Sequence, residues 1–410
     1  MKRLLGSIGP AIIVAAVVLG PGSILLSSKV GSQYGYPALG IIAVSTLLMI
    51  AMVALAARIG VIYEDSPCDQ LAARLGRPVA VAVGVIIFVL VAIFQYSNNV
   101  AVISGIRPLL DTDAWITSTA GASLVLVLFN AFVITCLYRL RHLYGSIEKL
   151  MKALIGLMVV AFLINFAVIF FSPRGYMPVV GGGTREIMPL LGLVGTSFSV
   201  AGAFYQAYLV KEKGWRLIDA RRGVFDSIVS ISILGLVTAM ILMTATRVFY
   251  GRPDPVVLGN VGDVARQLEP LFGPWAKVVF CGGILAGAFS SFLVNALIGG
   301  TVMSDALGKG SRLGGRWVLG LTTAALLSGM VIALINLRNG KESTVALIVF
   351  AQALTVLGIP ALALALIYLG TRPDLTGERR VPRWIIGLAI IGFIVACVLA
   401  GRTVLALIQP

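Results

Sequence analysis

The stretch "VVLGPGSILLSSKVGSQYGY", from Val17 to Tyr36, carries the residues with the clearest chemical consequence in the chain. Gly20, Pro21, Gly22 and Ser23 interrupt a long apolar run. Glycine disfavours helix, and proline both removes a backbone donor and clashes with the preceding turn. In hydrocarbon the freed backbone groups must be satisfied by protein, water or a solute. Two outcomes are open. One is a plain kink; the other is a discontinuous helix whose half-termini face a solute at mid-membrane, the arrangement secondary transporters use. A second candidate break lies in "GTSFSVAGAFYQAYLVKEKGW", Gly195 to Trp215, around Ser199, Val200, Ala201, Gly202 and Ala203. The chemistry on offer at both places is binding through hydroxyls, amides and backbone dipoles.

The elements that must position these residues follow from composition. Of the 410 residues 59% are hydrophobic and 12% charged, whereas soluble domains carry about 25% charged residues. The mean hydropathy is +1.00. Lipid is the main solvent for such a chain. A span needs about 20 largely apolar residues. About eleven such stretches can be placed, near 9–34, 37–62, 78–104, 116–138, 147–172, 188–210, 223–246, 274–304, 316–336, 344–369 and 383–408. The expected fold is an all-α polytopic membrane protein with a single transmembrane domain over 1–410. The candidate breaks fall in the first and sixth stretches, five apart, as a five-plus-five inverted repeat requires. Repeat one then covers about 9–172, repeat two about 188–369, and an extra helix about 383–408.

The first stretch follows Lys2 and Arg3 but has no small-residue cleavage site, so it reads as a span and not as a removable signal. The net charge of +15 is explained by distribution. With the N-terminus inside, Arg58, Arg74, Arg77, Arg139, Arg141, Lys211, Lys213, Arg379 and Arg380 fall on the cytoplasmic side, and about half as many cations fall opposite. This asymmetry places the chain in the cell inner membrane with a cytoplasmic N-terminus and argues against a nucleic-acid partner. The partners are the bilayer and a small transported solute. Four cysteines, Cys68, Cys136, Cys281 and Cys397, lack CxxC spacing and read as small hydrophobes.

Several motifs, taken together, resemble the Nramp family of divalent-metal transporters. "GSQYGY" (Gly31 to Tyr36) follows the first break, and "AARIGV" (Ala56 to Val61) ends the second stretch. "GILAGAFSSFLVNALIGGTVMSDAL" (Gly283 to Leu307) is similar to that family's eighth span, Gln352 and Pro360 keep its Gln-to-Pro spacing, and Glu148 matches a family carboxylate. The resemblance implies a LeuT-type inverted repeat with broken first and sixth helices, working by alternating access. The departures fall on the cargo site. The family's Asp-Pro-Gly-Asn aligns with Gly20-Pro21-Gly22-Ser23, and its Met-Pro-His aligns with Ser199, Val200 and Ala201. A second family histidine falls on Gln206, and acids expected in the third span are replaced by "FQYSNNV", with Gln95, Asn98 and Asn99. Of the family's side-chain ligands only Gln352 remains.

This donor set restricts the cargo. Selecting a transition metal over magnesium or calcium calls for a soft ligand such as a thioether or imidazole, and Ser199 supplies a hydroxyl. A dehydrated dication at mid-membrane also needs charge compensation, because an uncompensated ion there costs several kcal/mol. None of the seventeen acids falls near the middle of a stretch. Three substrate readings stay open. A hydrated, magnesium-like cation could be held by Ser23, Ser199, Gln352 and backbone carbonyls. An anion or zwitterion could face the positive end of the half-helix after Ser23, with Lys29 adding a cation or simply snorkelling. A small neutral polar solute could use the same groups.

Metal is therefore not assigned to any residue. The substrate-binding candidates are Gly20, Pro21, Gly22, Ser23, Ser199, Val200, Ala201, Gly202 and Gln352, with Lys29, Gln206, Asn98, Asn99 and Asn295 as secondary candidates. Asn295, Ser290, Ser291, Asn98 and Asn99 have an alternative reading as helix bridges, each contact being worth about 0.6 kcal/mol. Membrane proton relays are built from Asp, Glu and His. The one histidine, His142, sits in a basic loop, so transport without the family's proton coupling is expected. There is no Ser/His/Asp set, HExxH or phosphate loop, so neither an enzyme nor a cofactor is expected. Saturable flux with counterflow would separate a carrier from a channel, and binding without flux would mark a receptor.

Overall fold

The computed structural model describes residues 9–109, 115, 118–139, 143–171, 186–251, 258, 274–339 and 344–408, without the side chains at 108, 143, 274, 276–277, 344–348, 350–352 and 407. Lys2, Arg3, Arg141 and His142 lie outside the described residues, as does the side chain of Gln352.

The first span is two helices, α1 (Ala11–Val18) and α2 (Pro21–Tyr34), bent by 57° at their junction. Leu19 leaves the helical region with ψ 46°, and Gly20 is extended with ψ 176°. Pro21 then opens α2 at its first position, where its fixed φ suits a helix and its missing N–H is not needed. The second span is α3 (Leu39–Ile62), followed by a short interfacial helix α4 (Pro67–Leu75). α4 is capped by Ser66, whose Oγ accepts from Asp69 N. The third to fifth spans are α5 (Arg77–Ile106), α6 (Thr119–Arg139) and α7 (Leu143–Phe171).

The sixth span is again interrupted, into α8 (Ile187–Ser197) and α9 (Val200–Glu212). The rest are α10 (Ala220–Phe249), α11 (Pro274–Ala306), α12 (Arg316–Arg338), α13 (Thr344–Gly370) and α14 (Arg383–Ile408). No strand occurs among the described residues. Among the described residues, ten helices are long and apolar enough to cross a membrane, and the bent first pair makes eleven. The fold is all-α and polytopic, of the LeuT type.

One boundary differs from the sequence expectation. The sixth-span break sits at Phe198 (ψ 58°) and Ser199 (ψ 87°), and Val200, Ala201 and Gly202 already belong to α9. Small residues permit a break but do not locate it. Gly202 instead lets α9 pass close to α1, since a Cβ there would come within 3.3 Å of Val14.

The core is the pairing of broken and unbroken spans. α1 is buried along its whole length, which explains why it is apolar on every side. Its N-terminal end is tied to the seventh span. Asp226 on α10 accepts Gly9 N–H at 2.7 Å and Ala11 N–H at 2.8 Å. On the same side of the membrane, Asp305 at the end of α11 accepts from Ser66 Oγ (2.5 Å), Tyr208 OH (2.7 Å) and Cys68 N–H (3.1 Å). Burial, and then the Asp305 charge, push the Cys68 thiol well above its ordinary range. Glu148 is likewise buried and pairs with Lys152 (2.7 Å) and Lys213 (2.6 Å). Lys211 donates to the carbonyls of Tyr63 and Glu64. The end of the sixth span is thus fastened to the loop after the second span and to the fifth and eighth spans.

Candidate functional site

Breaking α1 from α2 frees the carbonyls that residues 20, 21 and 22 would otherwise bond, namely those of Ala16, Val17 and Val18. Three serines replace the missing donors. Ser290 Oγ donates to Ala16 O at 2.9 Å, Ser291 Oγ to Val17 O at 2.5 Å, and Ser23 Oγ to Val18 O at 2.6 Å. All three serines are buried, so these bonds remove a large desolvation penalty. The break is therefore a satisfied, fixed feature and not a plain kink. Ser290 and Ser291 bridge the first and eighth spans. For Ser23 the structure revises the expectation in part: its proton is committed to its own span's carbonyl, and only its oxygen lone pairs remain for a solute.

Beside the break lies a cavity of about 20 Å³, lined by Val17, Val18, Gly20, Gly22, Ser23, Phe94, Asn98, Thr196, Ser199, Ser291 and Asn295. That is room for about one water molecule. Both breaks contribute to it, with the third and eighth spans closing the sides. Its polar groups are four hydroxyls (Ser23, Thr196, Ser199 and Ser291) and two amides (Asn98 and Asn295). No carboxylate, imidazole or sulfur lines it. Among the described residues, no three His, Cys, Asp or Glu side chains are grouped as metal ligands. Gly22 and Ser23 sit in the first turn of α2, so the positive end of that half-helix faces the cavity.

Residues 11–406 match the family described as natural resistance-associated macrophage protein-like, or Nramp. The chain belongs to the Nramp family. Among its relatives is a divalent metal cation transporter MntH of Verminephrobacter eiseniae, 24% identical over 99% of this chain and 90% of the relative. Another is the MntH of Xanthomonas campestris pv. campestris, 25% identical over 97% of this chain and 89% of the relative. The fold is similar to that of the Eremococcus coleocola manganese transporter, with a TM-score of 0.77 and 20% identity over 97% of this chain and 86% of that one.

Set against this Nramp frame, the candidates divide. Gly20, Gly22, Ser23, Asn98, Ser199 and Asn295 come together at the cavity. Pro21 acts as the first residue of α2, and Val200, Ala201 and Gly202 form the first turn of α9 without lining the cavity. Lys29 is not there: its Nζ lies 3.2 Å from Glu186 Oε2, in a partly exposed ion pair. Asn99 belongs to a chain of amides, donating to Gln95 O at 2.8 Å and accepting from Asn130 at 2.8 Å. Gln206, at the family's second histidine position, is fully buried away from the cavity lining with neither amide atom hydrogen-bonded.

Five lining residues are not among the candidates that the sequence offers: Val17, Val18, Phe94, Thr196 and Ser291. Thr196 and Phe94 carry no motif. Ser291 was legible only as a helix bridge, yet its hydroxyl serves the bridge and the cavity wall together. Asn295, which has an equally plain reading as a bridge, opens to the cavity.

Gly22→Val should abolish flux while leaving the protein folded. Its three added carbons must enter a space sized for about one water, at a cost of about 1–3 kcal/mol in overpacking. Solute uptake into proteoliposomes, beside a size-exclusion profile, measures both. Near-normal uptake would remove the cavity from the transport path.

Proposed function

We propose that this Nramp-family protein is a secondary transporter working by alternating access, and that its cargo passes through the cavity between the two interrupted spans. The repeats over about 9–172 and 188–369 would rock about that point, with the N-terminus in the cytoplasm and the chain in the cell inner membrane. The cargo class suggested by the named relatives is a divalent cation. The single observation carrying the finer reading is the lining: Gly20, Ser23 and Ser199 stand where the family pattern holds Asp, Asn and Met, and the remaining polar groups are hydroxyls and amides. Such a set suits a hard cation that keeps its water, as magnesium does because it dehydrates reluctantly. It suits manganese or iron poorly, since a soft ligand is what separates these from magnesium. Gln352 is included in the proposed set by its family spacing.

A second reading rests on a separate feature. No carboxylate lines the cavity, and the N-terminus of α2 faces it. A small anionic, zwitterionic or neutral polar solute would need no compensating acid there.

Coupling follows from the same residues. With Gln206 at a family histidine position, and Gln95, Asn98 and Asn99 in the third-span segment where the family pattern carries acids, transport would proceed without proton movement. Reconstituted protein, loaded with a magnesium indicator and a pH dye, separates the possibilities. The expected result is saturable Mg²⁺ uptake with no internal acidification and no preference for Mn²⁺. Selective Mn²⁺ uptake would overturn the hard-cation reading, and stoichiometric acidification would overturn uncoupled transport. Flux of a small organic solute in place of both ions would establish the second reading.

A further inference from the structure

A second cavity, of about 650 Å³, lies between the end of the tenth span and the start of the eleventh. It is on the side of the membrane that carries the N-terminus. Its lining divides chemically into Arg372, Arg380 and Arg383 on one part and Leu375, Ile386 and Ile390 on another. Arg372 is occupied, lying 3.6 Å from Asp374 Oδ1 and donating to Tyr368 OH at 3.2 Å. Arg380 and Arg383 are exposed and form no ion pair with any described residue. The nearby carboxylate Asp374 also takes Arg74 at 3.0 Å, and Glu378 is the other acid of the loop.

The loop that presents these cations is held rigidly. Arg58, buried at the end of the second span, donates to Glu378 O at 2.6 Å and to Arg380 O at 2.7 Å. Arg379 reaches back to Ile62 O at 3.0 Å, and Tyr63 OH donates to Leu369 O at 2.8 Å. The backbone at 380 is thus fixed, while its guanidinium forms no ion pair with any described residue. Below the cations, Trp384 is 45% and Ile390 42% exposed. Tryptophan at that level marks the boundary between headgroups and hydrocarbon. Cations therefore stand at headgroup depth, with apolar side chains directly beneath them.

Basic pockets between membrane helices accept anionic lipid headgroups, and the guanidinium fork matches phosphate oxygens. We propose that this cavity binds one anionic phospholipid from the leaflet on the N-terminal side. Its phosphodiester lies between Arg380 and Arg383, and an acyl chain runs along Ile386 and Ile390. Free phosphate shares the headgroup chemistry, but the apolar floor and its exposure to hydrocarbon select the lipid. A bound lipid would brace the loop that clamps the second span, and through Tyr63 the Lys211 contact at the end of the sixth. The inference is independent of which cargo is moved.

The test is native mass spectrometry of the full chain in detergent, titrated with phosphatidylglycerol, phosphatidylcholine or inorganic phosphate, with thermal unfolding in parallel. The expected result is retention of one phosphatidylglycerol and a rise in Tm that neither of the other additives produces. Arg380→Gln/Arg383→Gln should weaken that binding on the order of twentyfold, since each basic residue near an anionic surface contributes roughly fivefold. Arg402→Gln, at the opposite end of the eleventh span, should titrate like the parent. Both substituted arginines are exposed, so folding is preserved and checked by the unfolding trace. Equal stabilisation by phosphatidylcholine or by phosphate, or an unchanged titration in the double variant, would overturn the proposal.

Discussion

Gly20→Ala should abolish uptake and destabilise the protein. A Cβ at position 20 would stand 2.2 Å from Ser291 Oγ and 3.1 Å from Ser291 Cβ. The hydroxyl can escape only by turning away from Val17 O, its acceptor at 2.5 Å. The variant therefore suffers overpacking of about 1–3 kcal/mol and leaves a buried carbonyl unpaired, for about 1–3 kcal/mol more. Uptake should be lost and Tm should fall by several degrees. Ser291→Ala alone loses only the hydrogen bond. Combining Gly20→Ala with Ser291→Ala removes the 2.2 Å clash and leaves only the tight 3.1 Å approach of the two Cβ atoms, so the double variant should be more stable than Gly20→Ala by about 1 kcal/mol. Strictly additive effects, or a neutral Gly20→Ala, would show that the two spans do not approach as described. Restoring the family's acid by Gly20→Asp meets the same obstacle, so a transition-metal site cannot be rebuilt here without also shrinking position 291.

This tight contact separates what the sequence made legible from what it did not. Span extents are legible in the run of apolar residues: the expected stretches 37–62, 78–104 and 316–336 fall on Leu39–Ile62, Arg77–Ile106 and Arg316–Arg338. The first break was readable because Pro21 cannot continue the preceding helix. The sixth-span break carries no proline and lies at Phe198 and Ser199, the leading edge of the expected run Ser199 to Ala203 and not at its glycine. Phe198 is buried against Gly392 of the eleventh span, whose Cβ would lie 2.9 Å from the ring. A break fixed by such a distant neighbour leaves no local mark. The same reason hides the partners of polar residues. Ser291 finds Val17, Asp226 finds Gly9, and Lys29 finds Glu186, all far away along the chain. Residue types show that hydroxyls and amides are the polar groups on offer; only the packing of four spans determines which of them share a cavity.

The same packing makes α1 a lever held at both ends, and Asp226→Asn should release one of them. At the break, Ser290 and Ser291 fix its last carbonyls. At the other end the Asp226 carboxylate accepts Gly9 N–H, Ala11 N–H and, at 3.2 Å, Ser230 Oγ. A negative acceptor at a helix N-terminus is favoured by the helix dipole, by about 0.3–1 kcal/mol, and hydrogen bonds to a charged group are worth about 1.5–3 kcal/mol. Asparagine preserves the volume but turns an amide donor toward a backbone N–H. The proposed alternating access would require the N-terminal side to open, and α1 is the short helix there, set off from α2 by a 57° bend. Losing about 2–3 kcal/mol from the closed arrangement raises the open population by about 30- to 150-fold. A cysteine introduced at Ala15, which is fully buried, reports the change once Cys397, the exposed native thiol, is replaced by serine. In the parent background a membrane-impermeant maleimide should leave that cysteine unlabelled; with Asp226→Asn it should be modified from the N-terminal side. Unchanged protection in a folded Asp226→Asn protein would mean that the carboxylate merely caps a helix and that opening pivots elsewhere.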